Sequence, residues 1–159
     1  MYKTAVITLS DRAFDGIRPD ESGPAIVKAL DPELFEVICT QVLPDDREAL
    51  SGEHRWLSDE KGCSLILTTG GTGLSPRDIT PEATLDVAER NVPGIAEAMR
   101  RESARYTGRA MLSRGVSVIR GRTLIVNLPG SPKAVRECMD FIMEPLIHGL
   151  EILSGTGTD

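Results

Sequence analysis

The sequence predicts an α/β domain built on a mostly parallel, mixed sheet, and three observations carry that expectation. Short β-branched runs alternate with longer stretches of helical period, the pattern of strands joined by crossover helices. The runs Thr4-Ala5-Val6-Ile7-Thr8-Leu9 and Leu65-Ile66-Leu67 are nearly continuous in apolar character, as expected when both faces of a sheet are covered. Two further runs flank Gly121 closely enough for a hairpin, which would put one antiparallel pairing into the sheet toward its C-terminal end.

Taken in order, strands are expected at residues 5–9, 35–42, 64–68, 116–120 and 123–127. Helices fill the gaps at 24–30, 46–61, 81–90, 94–106 and 132–153, with apolar positions such as Leu50, Trp56 and Leu57 at helical spacing. Residues 12–21 have no clear period and contain Gly16 and Pro19, so they read as a mobile loop. The ending, residues 154–159, has no apolar content to dock and reads as a flexible tail.

At 159 residues the chain fits one domain, here residues 1–153, long enough to bury roughly two thirds of its unfolded surface. Eighteen Lys and Arg stand against 24 Asp and Glu, a net charge of -6, with no basic run able to track a nucleic-acid backbone. Nucleic acid is therefore not an expected partner. Cys39, Cys63 and Cys138 are odd in number and widely spaced, without a C-x-x-C pair, which argues for a reducing compartment and against structural zinc. No stretch approaches a membrane span and the first strand ends too early for a signal peptide, so a cytoplasmic protein is expected. His54 and His148 fall inside expected helices and read as structural, while Arg100, Arg101 and Arg105 read as a solvated or subunit-facing helix side.

The chemistry concentrates after the strands. Thr68-Thr69-Gly70-Gly71-Thr72-Gly73 follows an apolar strand and precedes the helix start Thr80-Pro81, an arrangement that brings backbone N–H groups close to an anion. Ser22-Gly23-Pro24 and Gly130-Ser131-Pro132 mark two more helix starts, and at each of the three the hydroxyl of Ser22, Thr80 or Ser131 is expected to cap while the proline opens the first turn. If their strands are parallel, all three loops share one sheet edge, where open α/β folds place ligands. Asp78 sits within this phosphate-like site and would repel an anion unless a cation intervenes, which points to a divalent metal such as Mg²⁺. Asp45, at the end of the second strand, is the second candidate ligand, although with Glu48 it also has the spacing of a capping box. Ser10-Asp11-Arg12 ends the first strand on the same edge, and Lys133 near the last helix start hints at an anion.

Thr68-Thr69-Gly70-Gly71-Thr72-Gly73, Pro76-Arg77-Asp78-Ile79-Thr80-Pro81-Glu82-Ala83-Thr84 and Asn127-Leu128-Pro129-Gly130-Ser131 resemble the MoaB/Mog family of molybdenum cofactor biosynthesis. The likeness extends to Ser10-Asp11-Arg12, Asp20-Glu21-Ser22-Gly23, Leu43-Pro44-Asp45 and Ala110-Met111-Leu112-Ser113-Arg114. It implies a three-layer α/β/α domain, usually a homotrimer, that transfers AMP from ATP to the molybdopterin phosphate with Mg²⁺ and releases pyrophosphate. By motif, Asp45 and Asp78 would be the catalytic, metal-holding aspartates. Gly70, Gly71, Thr72 and Gly73, with Asn127, Pro129, Gly130 and Ser131, would cradle nucleotide and pterin phosphates, and Ser10, Asp20 and Ser22 would lie on the substrate side. Metal insertion would fall to a separate partner enzyme. A non-catalytic molybdopterin carrier or scaffold of the same fold is the alternative.

Overall fold

A computed structural model describes residues 1–157. A six-stranded sheet runs through it in the order β2-β1-β3-β6-β5-β4. Strands β1 (Tyr2–Leu9), β2 (Phe35–Leu43), β3 (Leu65–Thr69) and β6 (Thr123–Leu128) are mutually parallel. β5 (Ser117–Arg120) turns back against β6 around Gly121, as the hairpin reading expected. β4 is only Arg90–Asn91, antiparallel to β5.

Alternation along the central strands sorts side chains into two cores, because successive residues of a strand face opposite sides. Val6, Leu67 and Val126 pack on one face with Ile26, Met99, Val135, Met139 and Leu146. These come from α2 (Ser22–Ala29), α5 (Pro93–Ser103) and α6 (Pro132–Ser154). Ala5, Ile7, Ile66 and Ile125 pack on the other with Leu50 of α3 (Arg47–Arg55) and Ala83 of α4 (Thr80–Leu85). The result is the three-layer α/β/α arrangement. Among the described residues, no helix is long and apolar enough to cross a membrane.

The structure corrects several expectations. Residues 12–21 are not all loop, because α1 (Asp11–Phe14) forms there, its N-terminus capped by the Ser10 hydroxyl, which accepts from Ala13 N at 3.1 Å. The helix expected at 81–90 stops at Leu85, since Glu89 N donates to Ile119 O at 2.9 Å and Arg90–Asn91 joins the sheet as β4. The helix expected at 46–61 passes into a π-helical turn, Trp56–Glu60, before Gly62. A 3₁₀ turn, Gly108–Leu112, follows α5 where no element was expected. Part of the expected tail is folded: Ser154 ends α6, Gly155 takes φ +82°, and the N–H groups of Thr156 and Gly157 turn back to Glu151 O at 3.0 and 2.8 Å. Residues 158 and 159 lie outside the described residues.

His54 is fully buried, with Nε2 3.2 Å from Thr84 Oγ1, and burial pushes its pKa down to about 3. It is a neutral core histidine, whereas His148 is exposed near Glu151 on α6. Arg100 departs from the expected solvated side: its guanidinium donates to Gly115 O at 2.8 Å and ties α5 to the segment before β5.

Candidate active site

Because β1, β2, β3 and β6 run parallel, the loops leaving them gather at one sheet edge. They enclose a cavity of about 720 Å³, lined by Ser10, Asp20, Ser22, Asp45, Gly70, Gly71, Asp78, Gly130 and Ser131, among others. Nine residues named from the sequence thus share one wall-to-wall space. Thr72, Gly73, Asn127 and Pro129 line a neighbouring cavity of about 480 Å³, with Ser131 common to both. That second space is walled by apolar groups such as Met99, Leu112 and Cys138.

The glycine turn is shaped by close approach. Gly70 and Gly71 take φ +90° and +69°, a region that disfavours side chains, and a Cβ on Gly70 would collide with the Leu9 carbonyl oxygen. Thr80 holds the turn by donating its hydroxyl to Gly70 O at 2.9 Å and its N–H to Gly71 O at 3.1 Å. The expected role of Thr80 as a helix cap is thereby corrected, since its hydroxyl faces the turn and Ile79 occupies the cap position. Gly71, Thr72 and Gly73 donate no backbone N–H to a backbone carbonyl among the described residues.

The second helix start is corrected in the same way. Glu21 occupies the cap position of α2, and Asp20 just before it, not Ser22, supplies the side-chain acceptor, accepting from Gly23 N at 3.1 Å while its other oxygen accepts from Thr8 Oγ1 at 2.8 Å. Ser22 instead donates to Gly130 O at 2.6 Å and joins the first and last loops. Ser131 caps α6 as expected, accepting from Ala134 N at 3.1 Å. Asn127 is buried, its amide donating to Thr68 Oγ1 and Thr84 Oγ1 while its Oδ1 accepts from Val116 N. Its side chain clasps β3, α4 and the residue just before β5 together. Lys133 points away along α6 toward Glu137.

The capping-box reading of Asp45 gives way to a different geometry. Asp46 is the cap of α3, accepting from Ala49 N at 2.8 Å, which leaves the Asp45 carboxylate free to face the cavity. Asp45 and Asp11 exchange bonds: Asp11 N donates to Asp45 Oδ2 at 3.0 Å and Asp45 N to Asp11 Oδ1 at 2.9 Å. Asp78 Oδ2 accepts from Ser75 N at 3.0 Å. Asp45 and Asp78 therefore each have one oxygen fixed by a backbone donor and one without a protein donor among the described residues. Burial raises the Asp45 pKa above its ordinary value against the opposing effect of the bond from Asp11 N, and the charges of Asp11 and Asp78 add to that rise. A bound cation would relieve both effects. Among the described residues no three His, Cys, Asp or Glu side chains form a metal cluster, and the two carboxylates that could hold a cation are those of Asp45 and Asp78. That set suits an ion such as Mg²⁺, which keeps waters and takes its other ligands from substrate phosphates.

Sequence reasoning missed the residue that braces this loop. Arg114 donates through Nε to Gly73 O and through Nη2 to Asp78 O, both at 2.8 Å, and forms a two-oxygen pair with Glu82 at 2.8 and 3.1 Å. Its own N–H donates to Thr72 O at 2.9 Å. One guanidinium thus fixes the end of the glycine turn, the Asp78 backbone and the first turn of α4, and holds the Glu82 carboxyl below its ordinary pKa. Lysine cannot reproduce this fork. Arg114→Met is expected to reduce activity about tenfold to a hundredfold by letting Asp78 shift, while costing about 1 kcal/mol in urea unfolding because the pair is partly exposed. Full activity in the variant would remove the bracing role.

A family model described as a probable molybdopterin binding domain matches residues 5–149. The chain is 41% identical over 146 residues to the molybdopterin adenylyltransferase of Haemophilus influenzae, an overlap of 91% of this chain and 74% of that protein. It is 40% identical over 155 residues to the molybdopterin adenylyltransferase of Escherichia coli K12, covering 93% and 79%. Its fold matches the crystal structure of the molybdopterin biosynthesis enzyme MoaB from Thermus thermophilus with TM-score 0.93 and 45% identity over 100% of both chains. With the family model matching nearly the whole chain and these relatives about 40% identical over most of it, the chain belongs to the MoaB/Mog family of molybdenum cofactor biosynthesis proteins.

Proposed function

We propose that this chain is a molybdopterin adenylyltransferase, transferring AMP from ATP to the terminal phosphate of molybdopterin and releasing pyrophosphate. The observation that carries the reading is the pair Asp45 and Asp78, each with one oxygen held by a backbone N–H and one free, in a cleft floored by the Gly70–Gly71 turn. Two substrates that are both phosphorylated need two things from a protein: neutralisation of their charge and close approach of their phosphates. Backbone N–H groups of the glycine turn supply approach, and the N-terminus of α6 beside Ser131 adds positive potential.

Asp45 and Asp78 are the residues that would hold Mg²⁺. Bound there, the ion would neutralise charge on the phosphates and polarise the one under attack. A phosphate nucleophile is already ionised at neutral pH, so no base is required of either aspartate, and their work is positioning. Catalytic and binding roles are thus proposed for Asp45, Asp78, Ser10, Asp20, Ser22, Gly70, Gly71, Thr72, Gly73, Pro129, Gly130 and Ser131. For Asn127 the proposed role is to position the loop from beneath, because its amide is fully engaged. Residues 1–153 are read as one cytoplasmic domain on the grounds of length and cysteine pattern, while assembly as a homotrimer and passage of the product to a separate metal-insertion enzyme rest on the family likeness.

The test is pyrophosphate release from ATP by purified protein, with and without molybdopterin, in Mg²⁺ and in EDTA. Release that requires both the pterin and Mg²⁺ is expected. Tight molybdopterin binding without any release would instead assign the chain a carrier role.

A further inference from the structure

The cavity has a charge problem that Asp45 and Asp78 alone do not solve. Five carboxylates line it, from Asp11, Asp20, Glu21, Asp45 and Asp78, against three guanidiniums, from Arg12, Arg18 and Arg77. A nucleotide triphosphate brings several more negative charges into the same space. One divalent ion at the two aspartates offsets only part of this, so the tail of the nucleotide needs cations of its own.

All three arginines line the cavity. Arg77 is fixed by Asp11, which accepts from its Nε at 3.0 Å and its Nη2 at 2.9 Å. A guanidinium has five N–H donors, so three remain for an anion. Asp11 in turn exchanges backbone bonds with Asp45, which sets the Arg77 fork at a defined place beside the metal-holding carboxylate. Arg12 is the next residue along α1. Arg18 is brought back to it because the N–H groups of Ile17 and Arg18 both donate to Arg12 O, at 2.9 and 3.4 Å, around Gly16 at φ +74°. Among the described residues, neither Arg12 nor Arg18 has a carboxylate partner, although the protein carries an excess of acids. Two guanidiniums without carboxylate partners, on residues that line an acidic cavity and are joined through the backbone, have a clear use in holding a polyphosphate.

We infer that Arg12, Arg18 and Arg77 form a clamp for the β- and γ-phosphates of the nucleotide and for the pyrophosphate they become. The inference rests on the adenylyltransferase reading for the direction of the reaction. In that step a terminal phosphate oxygen of molybdopterin forms a bond to the α-phosphorus of ATP. The bond from that phosphorus to the bridging oxygen breaks, and its electron pair leaves on the pyrophosphate oxygen. Negative charge therefore accumulates on the leaving group, where charge-assisted bonds from guanidinium strengthen most. No further reactant is needed.

The experiment uses inorganic pyrophosphate with Mg²⁺ as the probe, titrated calorimetrically into the whole protein, and compares wild type with Arg12→Gln/Arg18→Gln. Both positions are exposed, and an unchanged thermal midpoint will establish that the variant folds. The clamp requires pyrophosphate affinity to fall about tenfold or more in the variant, with a similar rise in KM for ATP. AMP affinity should stay within about twofold, since AMP lacks the clamped phosphates. A second measurement on wild type alone follows pyrophosphate affinity against salt, which should weaken steeply if two or three guanidiniums are engaged. Unchanged pyrophosphate affinity in the variant, or an equal loss of AMP binding, would overturn the clamp. Absence of pterin-dependent turnover in wild type would overturn the enzymatic reading instead, and the pyrophosphate titration would still report on the arginines.

Discussion

Asp45→Asn is expected to keep its fold and lose about a hundredfold or more of pterin-dependent pyrophosphate release, with Asp78→Asn close behind. The reason is specific to the oxygens. In each residue one carboxylate oxygen accepts a backbone N–H, from Asp11 or from Ser75, and an asparagine carbonyl can keep that bond. What asparagine lacks is the second anionic oxygen that would take the metal. Stability should not suffer at position 45, because burial and the charges of Asp11 and Asp78 already raise the Asp45 pKa and disfavour its ionised form. An acid whose folded pKa is raised opposes folding once pH passes its unfolded value, so the neutral amide should leave the thermal midpoint at pH 7 equal or higher. The same shift predicts a pH profile. Activity should fall on the acid side at a pH above the ordinary aspartate range, and that limb should move to lower pH as Mg²⁺ is raised, since the cation favours the ionised carboxylate. Undiminished turnover in Asp45→Asn, or an acid limb indifferent to Mg²⁺, would count against the metal-holding role.

What could be read from the sequence followed local pattern, and what could not depended on distant contacts. The central strands were legible because Ala5-Val6-Ile7 and Leu65-Ile66-Leu67 are apolar on both faces, and both faces are covered. The two-residue β4 carries no period to detect and exists only through its pairing with Ile119 and Val118. Asp45 was identified as a candidate but entangled with a capping box, and only the structure shows the cap one residue later at Asp46. Caps at Ser22 and Thr80 were misassigned for a related reason. Their hydroxyls find loop carbonyls, Gly130 O and Gly70 O, that no local spacing reveals. Arg114 was visible only as part of a family pattern, because its partners Gly73, Asp78 and Glu82 lie more than thirty residues away along the chain.

Gly70→Ala should be the most damaging single substitution outside the aspartates, costing about 3 kcal/mol of stability and nearly all activity. Two effects add. A side chain at φ +90° is strained whatever its surroundings, by about 1–2 kcal/mol. The new methyl would also meet the Leu9 carbonyl oxygen, which cannot retreat: Leu9 pairs with Leu43 in the sheet and the next N–H, from Ser10, donates to Leu43 O at 3.0 Å. Relief must come from the turn or from the end of β1. Either movement reaches the site, since Thr80 is anchored on Gly70 O and Asp11, two residues beyond Leu9, holds Asp45. Gly52→Ala is the matched comparison. Gly52 lies inside α3 with open space where a Cβ would stand, so alanine there should raise stability by roughly 0.5–1 kcal/mol and leave turnover unchanged. Urea unfolding of the two variants should therefore move in opposite directions. A Gly70→Ala protein as stable and active as wild type would mean that the turn is soft, and that its conformation is not what sets the aspartates in place.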